Sequence, residues 1–307
     1  MGAPVRVAAI DCGTNSIRLL VTDVDGNTKH DLVREMRIVR LGQDVDATGR
    51  LADEAIERTL AAAREYANII ETLDVSRVRF GATSAVRDAA NSEDFGDVIE
   101  GVLGVRPLVL KGEEEAAASF DGATRAFGAG RSAVIDLGGG STEVVIGAAS
   151  VVEWAHSFDV GSVRLTERFL HSDPPSMAEI SACQEHLDAV VVPTLSGLAA
   201  VETLVGVAGT ITTVAAHTLR LDSYSSEAIH AACLAIDEVR SACLSLVRMP
   251  LADRRALPYM HPGRADVIAA GALILDRLLE YVPADTEQIL VSESDILDGI
   301  AWRAALG

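Results

Sequence analysis

The sequence predicts an α/β protein built from two duplicated domains that face each other across a cleft, and three observations lead there. Strand-like and helix-like segments alternate along most of the chain. A hairpin-shaped stretch occurs twice: residues 133–146 can be laid over residues 8–21 at a constant offset of 125, matching Ile10 to Ile135, Asp11 to Asp136, Gly13 to Gly138 and Ser16 to Ser141. The chain has 307 residues, enough for two cores, and no low-complexity segment interrupts them.

Taken in order, residues 5–10 are an apolar run that ends at Asp11 in a polar turn, and residues 17–22 resume as a strand. The turn, Gly13-Thr-Asn-Ser16, is too polar to be only a linker. Residues 51–73 keep helical spacing, with Leu51, Ala55, Thr59, Ala63, Tyr66, Ile70 and Leu73 on one side. Residues 78–81 and 105–110 read as strands flanking a helix. After the second hairpin, Ser176 and Glu179 stand at capping-box spacing behind Pro174-Pro175 and open a helix. A strand at 204–207 runs into Ala208-Gly-Thr-Ile-Thr-Thr213, a third small polar turn before a helix. Helices at 236–249 and 265–281, a strand at 289–292 and a helix at 295–306 complete the chain. Gly122, Gly128 and Gly130 place a short hinge within residues 121–131.

Charge narrows the partners. A net charge of −19 argues against nucleic acid and against an anionic membrane, since both require basic surfaces. Any anionic ligand must therefore find positive potential locally, from backbone N–H groups, a few Arg or Lys, or a bound metal ion. Cys12, Cys183, Cys233 and Cys243 form no CxxC pair and read as free intracellular thiols. Residues 1–6 lead straight into a strand-like stretch without an apolar leader, and the apolar run at 267–279 is broken by Gly271, Asp276 and Arg277. The expectation is a cytoplasmic protein.

Three segments carry chemistry. The turns Asp11-Cys-Gly-Thr-Asn-Ser16 and Asp136-Leu-Gly-Gly-Gly-Ser-Thr142 combine glycines, which permit positive φ and close backbone approach, with hydroxyl donors suited to phosphate oxygens. The Asp of each turn can hold hydrated Mg²⁺. One such turn alone would be read as a hairpin link; two in repeat register reverse that reading. Gly112-Glu-Glu-Glu-Ala116 fits an ordinary acidic helix N-terminus, and it also offers a general base whose pKa neighbouring carboxylates and phosphate would raise. Arg87, after Ala82-Thr-Ser-Ala-Val86, can pair with a phosphate or with Asp88 or Glu93; Arg164, Arg168 and Arg264 raise the same question more weakly. No GxSxG elbow or Walker-type loop occurs.

At this point the sequence resembles the exopolyphosphatase / guanosine pentaphosphate phosphohydrolase (Ppx/GppA) family, within the actin-like, sugar kinase and Hsp70 ATPase superfamily. Besides the segments above, Leu41-Gly-Gln-Asp-Val45, Thr48-Gly-Arg-Leu51, Gly161-Ser-Val-Arg-Leu-Thr-Glu167, Gly206-Val-Ala-Gly-Thr-Ile-Thr-Thr213 and Pro262-Gly-Arg-Ala-Asp266 carry the match. The resemblance implies two ribonuclease H-like domains flanking an interdomain cleft: residues 1–121 with a returning helix at 295–307, and residues 122–294. It implies Glu115 as the base, and Asp136 and Glu143 as the groups that position Mg²⁺ and the attacking water. Thr14, Asn15, Ser16, Arg87, Gly139, Gly140, Ser141, Gly209 and Thr210 are implied as phosphate ligands, with Asp11 as a further metal ligand. Manganese as a substitute ion, potassium as a second ion and a homodimer are left open.

Three departures from the family pattern stand out. The additional C-terminal helical domains of the long members are expected to be missing, and a preference for short chains is expected from that. Lys111 replaces a small Ser, and Ile296-Leu-Asp-Gly299 replaces the commoner Leu-Arg-Glu-Gly. The leading expectation is an exopolyphosphatase. A phosphohydrolase of pppGpp, a non-catalytic phosphate or alarmone sensor and a small-molecule kinase are the alternatives. Intact Glu115, Asp136 and Glu143 count against the sensor, and the lack of an acceptor-binding motif counts against the kinase.

Overall fold

The computed structural model describes residues 4–125, 127, 130–149 and 151–306. Its strands form two sheets. In the first, β1 (Val5–Cys12), β2 (Ser16–Asp25) and β3 (Thr28–Ile38) make an antiparallel meander, and β4 (Arg77–Ala82) and β5 (Leu108–Val109) add on parallel to β1, in the order β3-β2-β1-β4-β5. The second sheet contains β6 (Arg131–Leu137), β7 (Thr142–Ala148), β8 (Val151–Phe158), β9 (Thr203–Val207), β10 (Cys233–Ala235) and β11 (Gln288–Val291). Its order, β10-β11-β9-β6-β7-β8, repeats the first with β11 in the place of β5 and an antiparallel β10 added at the edge. This is the duplication expected from the repeat, on the ribonuclease H-like plan that the resemblance implies.

The longer helices are α1 (Asp53–Thr72), α2 (Ser92–Leu103), α3 (Gly112–Thr124), α4 (Ser162–Phe169), α5 (Met177–Leu195), α6 (Ala208–Thr218), α7 (Ile236–Arg248), α8 (Ile268–Tyr281) and α9 (Ile296–Leu306). The chain divides into two compact units. One runs to Gly122 and takes in the chain again from Ile296; the other is Ala123–Asp295. Gly128, used to place the hinge, and the first three residues lie outside the described residues. Among the described residues no helix is long and apolar enough to cross a membrane.

The first sheet is covered on both faces, and strand alternation explains how. Ala8, Ile10 and Cys12 of β1 point into one core with Tyr66 of α1 and Phe95 and Ile99 of α2, while Val7 and Ala9 point into another with Ile300, Ala301 and Trp302 of α9. The predicted stripe at 51–73 is α1, shortened at its start because Ala52 is extended; Leu51 is pinned instead by Asn91, through its N–H to Oδ1 at 2.9 Å and its C=O from Nδ2 at 3.0 Å. The strand predicted at 105–110 pairs only at Leu108–Val109. It is an edge strand, and Pro107 has no N–H to contribute. In the second unit, Ser176 and Glu179 do form a reciprocal capping box at the head of α5. The polar turn predicted at 208–213 is absent: β9 passes directly into α6, so Gly209 and Thr210 lie in the first turn of a helix.

The altered Ile296-Leu-Asp-Gly299 segment acquires a structural role. Asp298 is fully buried and accepts from Arg34 Nη2 at 2.7 Å and Lys29 Nζ at 2.9 Å, tying α9 to β3. Burial pushes its carboxyl up, but Arg34 and Lys29 outweigh burial and hold it below the usual aspartate range. Gly299 beside it sits on Ala118 of α3, where a Cβ would lie 2.0 Å from the carbonyl oxygen. Asp298→Ala should cost about 2–3 kcal/mol in denaturant unfolding, below the range of about 3–5 kcal/mol for a fully buried pair, because both cations reach solvent. A folded-state pKa that is depressed contributes stability above the unfolded value of about 3.9. The gap between wild type and variant should therefore be full at neutral pH and close as pH falls below about 4.

Candidate active site

In the first unit the three glutamates of α3 behave differently. Lys111 C=O accepts the N–H groups of Glu114 and Glu115 at 2.9 Å each, and the Glu114 carboxylate returns to Lys111 N–H at 2.9 Å, so the helix start is satisfied locally. Glu113 and Glu114 are exposed, as acidic residues favouring the helix dipole would be. Glu115 is 7% exposed and accepts from Arg87 Nη1 at 2.9 Å. The same Nη1 donates to Leu110 C=O at 2.9 Å. Of the partners considered for Arg87 from sequence, Glu93 pairs with Arg106 instead.

The first hairpin turn lies in the same unit. Thr14 is buried, its hydroxyl is 2.9 Å from that of Ser84, and its C=O accepts Gly42 N–H at 2.8 Å. Asn15 C=O accepts Val39 and Arg40, and Ser16 C=O accepts Gly13 N–H at 2.9 Å. Gly42 is packed so closely on Thr14 that a Cβ would lie 2.3 Å from Thr14 Cγ2. Asp11 is buried, and its Oδ2 accepts from Arg18 Nε at 2.9 Å and Nη2 at 2.6 Å.

The second turn repeats this register, with Gly138 N–H donating to Ser141 C=O at 3.0 Å. Its carbonyls are engaged by the start of α4: Gly138 accepts Ser162 N–H at 3.0 Å, Gly139 accepts Val163 and Arg164 N–H at 2.8 and 3.2 Å, and Gly140 accepts Arg164 Nε at 2.7 Å. These bonds also satisfy the otherwise orphaned first amides of that helix. Among the described residues no main-chain acceptor takes the N–H of Gly139 or Gly140. Adjacent amide donors with engaged carbonyls suit an anion. Contrary to the expectation of positive φ, none of Gly138, Gly139 and Gly140 is left-handed; at Gly138 the demand is for space, since a Cβ there would lie 2.9 Å from Ser141 C=O. Gly161 shows the constraint, since a Cβ there would lie 2.4 Å from Gly139 C and O.

Asp136 and Glu143 are buried, at 6% and 1% exposure, and face each other across the β6–β7 ladder. Ser157 Oγ donates to Glu143 Oε1 at 2.6 Å. The corresponding pair in the first unit is Asp11 and Arg18, so one hairpin places opposite charges together and the other like charges. Opposed carboxylates on one ladder repel, and a divalent cation offsets this. Among the described residues no group of three or more His, Cys, Asp or Glu is placed to cage a metal ion. Magnesium fits such a pair, because it keeps several waters and takes one or two carboxylates together with substrate phosphate oxygens.

Gly209 and Thr210, in the same unit, open α6. The Arg264 guanidinium covers Gly209, where a Cβ would lie 2.5 Å from Cζ, and Thr210 is buried against Gly271. Sequence reasoning passed over Ser157, quoted Ser84 and Gly161 only as parts of motifs without a role, and gave Arg164 little weight. Each supports a site residue from another element. Gly161→Ala should displace the Gly139–Gly140 turn and lower phosphate release by about 10²-fold, the scale set by a misplacement of about 1 Å, while circular dichroism stays native. Wild-type turnover in that variant would show that the close contact does not shape the site.

Comparison with known proteins places the chain in a family. The model of the Ppx/GppA phosphatase family matches residues 20–305. Exopolyphosphatase 2 of Mycobacterium tuberculosis is 46% identical over 318 aligned positions, which cover 99% of each chain. Among solved structures, an exopolyphosphatase-like protein superimposes with a TM-score of 0.92 at 40% identity over 98% of both chains. The Aquifex aeolicus member of the Ppx/GppA family gives 0.84 at 30% identity, over 99% of this chain and 98% of that one. With a family match across nearly its whole length and a full-length relative at 46% identity, the chain belongs to the Ppx/GppA phosphatase family.

Proposed function

We propose that the protein is an exopolyphosphatase that releases terminal orthophosphate from inorganic polyphosphate. The observation that carries this reading is the glycine turn 138–141, whose carbonyls are engaged inward while two of its amides remain as donors, in a chain of net charge −19. Neutral donors hold phosphate oxygens without requiring a basic surface. The likeness to Exopolyphosphatase 2 supports the same substrate class.

In this reading Glu115, held by Arg87, accepts a proton from water as the water oxygen bonds to the terminal phosphorus. The bridging P–O bond breaks, and its oxygen leaves on the shortened chain. The amides of Gly139 and Gly140, with the hydroxyl of Ser141 and the helix start at Gly209 and Thr210, receive the charge that develops on the equatorial oxygens. Thr14, Asn15, Ser16 and Arg87 orient the substrate's terminal groups. Magnesium, held by Asp136 and Glu143, supplies Lewis-acid neutralisation of phosphate charge when bound, and Ser157 keeps Glu143 oriented for it. Asp11, already ion-paired with Arg18, is the weaker metal ligand of the three. Short chains are favoured, because a long polyanion beyond its terminal phosphates meets the field of an acidic protein.

Glu115→Gln and Glu115→Ala should each lower phosphate release from short polyphosphate by about 10²–10⁴-fold in saturating Mg²⁺, with a native circular dichroism spectrum at the assay temperature as a control for folding. Near wild-type turnover in both would remove Glu115 as the base. Parallel kcat/KM values on short polyphosphate, long polyphosphate and pppGpp identify the preferred substrate; a preference for long chains or for pppGpp would contradict the reading.

A further inference from the structure

The C-terminal end of α6 borders a cavity of about 810 Å³, formed with one face of α7 and the segment around Tyr259. It lies at the opposite end of that helix from Gly209 and Thr210, and nothing in the proposed reaction uses it. The volume is within the range of small-metabolite sites. Three fixed charges line it: Arg220, Asp237 and Glu238. Among the described residues none of the three has an ion-pair partner. Ser241 and Ser245 add hydroxyls from the next turns of α7.

The site is open to solvent, with Arg220, Asp237, Glu238, Ser241 and Ser245 all exposed, and two details define its wall. Arg220 occupies the left-handed position that ends α6, at φ 54°, with its N–H on His217 C=O and the following N–H of Leu221 on Ala216 C=O, both at 3.1 Å. Glycine is the residue this position favours, and a long side chain is held there at a conformational cost. His217 is fixed from both sides, its Nδ1 by the Tyr259 hydroxyl and its Nε2 by Ser245 Oγ at 3.2 Å. Burial, then the charge of Arg220, push its imidazole below the ordinary range.

We infer that this cavity binds a small zwitterion of the amino-acid class, its carboxylate on Arg220 and its ammonium on Asp237 and Glu238, with Ser241 and Ser245 facing the remainder of the ligand. A purely anionic ligand would meet two carboxylates, and a purely cationic one would meet the guanidinium; a molecule bearing both charges satisfies all three groups.

The test is a ¹H–¹⁵N NMR titration of the full chain with L-glutamate, L-glutamine and L-arginine, using acetate and methylammonium as single-charge controls. At least one amino acid should shift the Ser241 and Ser245 amides saturably with Kd of about 1 mM or tighter, and the controls should not. Arg220→Gly should weaken that binding about tenfold or more while its melting temperature holds or rises, since glycine relieves the left-handed residue. The Asp237→Asn, Glu238→Gln double variant should weaken it comparably. The inference is overturned if no amino acid gives saturable shifts up to about 10 mM, if acetate or methylammonium reproduces them, or if Arg220→Gly binds as tightly as wild type.

Discussion

An acidic protein can hold a phosphate only with donors that carry no matching negative charge, and the turn Gly138–Ser141 is where this chain keeps them. The arrangement depends on contact at van der Waals limits. Gly161 touches Gly139 where no Cβ fits, and α4 begins there by using the carbonyls of the turn. The amides of Gly139 and Gly140 are left as donors because their carbonyls are held on the other side. Elsewhere cations are committed to carboxylates: Arg18 to Asp11, Arg34 and Lys29 to Asp298, and Arg240 to Asp276. Much of the basic inventory thus serves to orient or bury acids, which leaves amides as the main receptor for anionic oxygen.

Duplication supplied the scaffold, and divergence at one register position separated its two copies. Both hairpins oppose the residue two before the first glycine with the residue seven later. In the first unit that partner is Arg18 and the aspartate is neutralised within the protein. In the second it is Glu143, and the pair concentrates negative charge that suits a hydrated divalent ion. The same fold therefore presents an electrically closed hairpin in one unit and a cation-seeking one in the other.

The fold was legible because its signals are local. The offset of 125 between two short hairpins anticipates two sheets of one topology, and the capping box at Ser176 and Glu179 marks a helix start correctly. Failures came where tertiary context decides. Strand β5 shrinks because an edge strand after a proline has little to pair with, and the turn expected at Ala208 disappears because α6 starts directly on β9. At the candidate site, sequence could name the glutamates of α3 but could not choose among them by periodicity. Burial and Arg87 separate Glu115 from Glu113 and Glu114. Ser157, Ser84 and Gly161 act from neighbouring elements, and no spacing rule along the chain brings them to their partners. Asp298 had no evident meaning in sequence because its cations, Lys29 and Arg34, lie at the other end of the chain.

The most direct measurement is the backbone ¹⁵N resonances of Gly139 and Gly140 during titration with tripolyphosphate and Mg²⁺, in a Glu115→Gln protein that does not consume the ligand. Both resonances should move saturably, with a midpoint that tracks the KM of the active enzyme. Resonances that stay in place while tripolyphosphate binds would contradict the claim that this turn is the phosphate receptor.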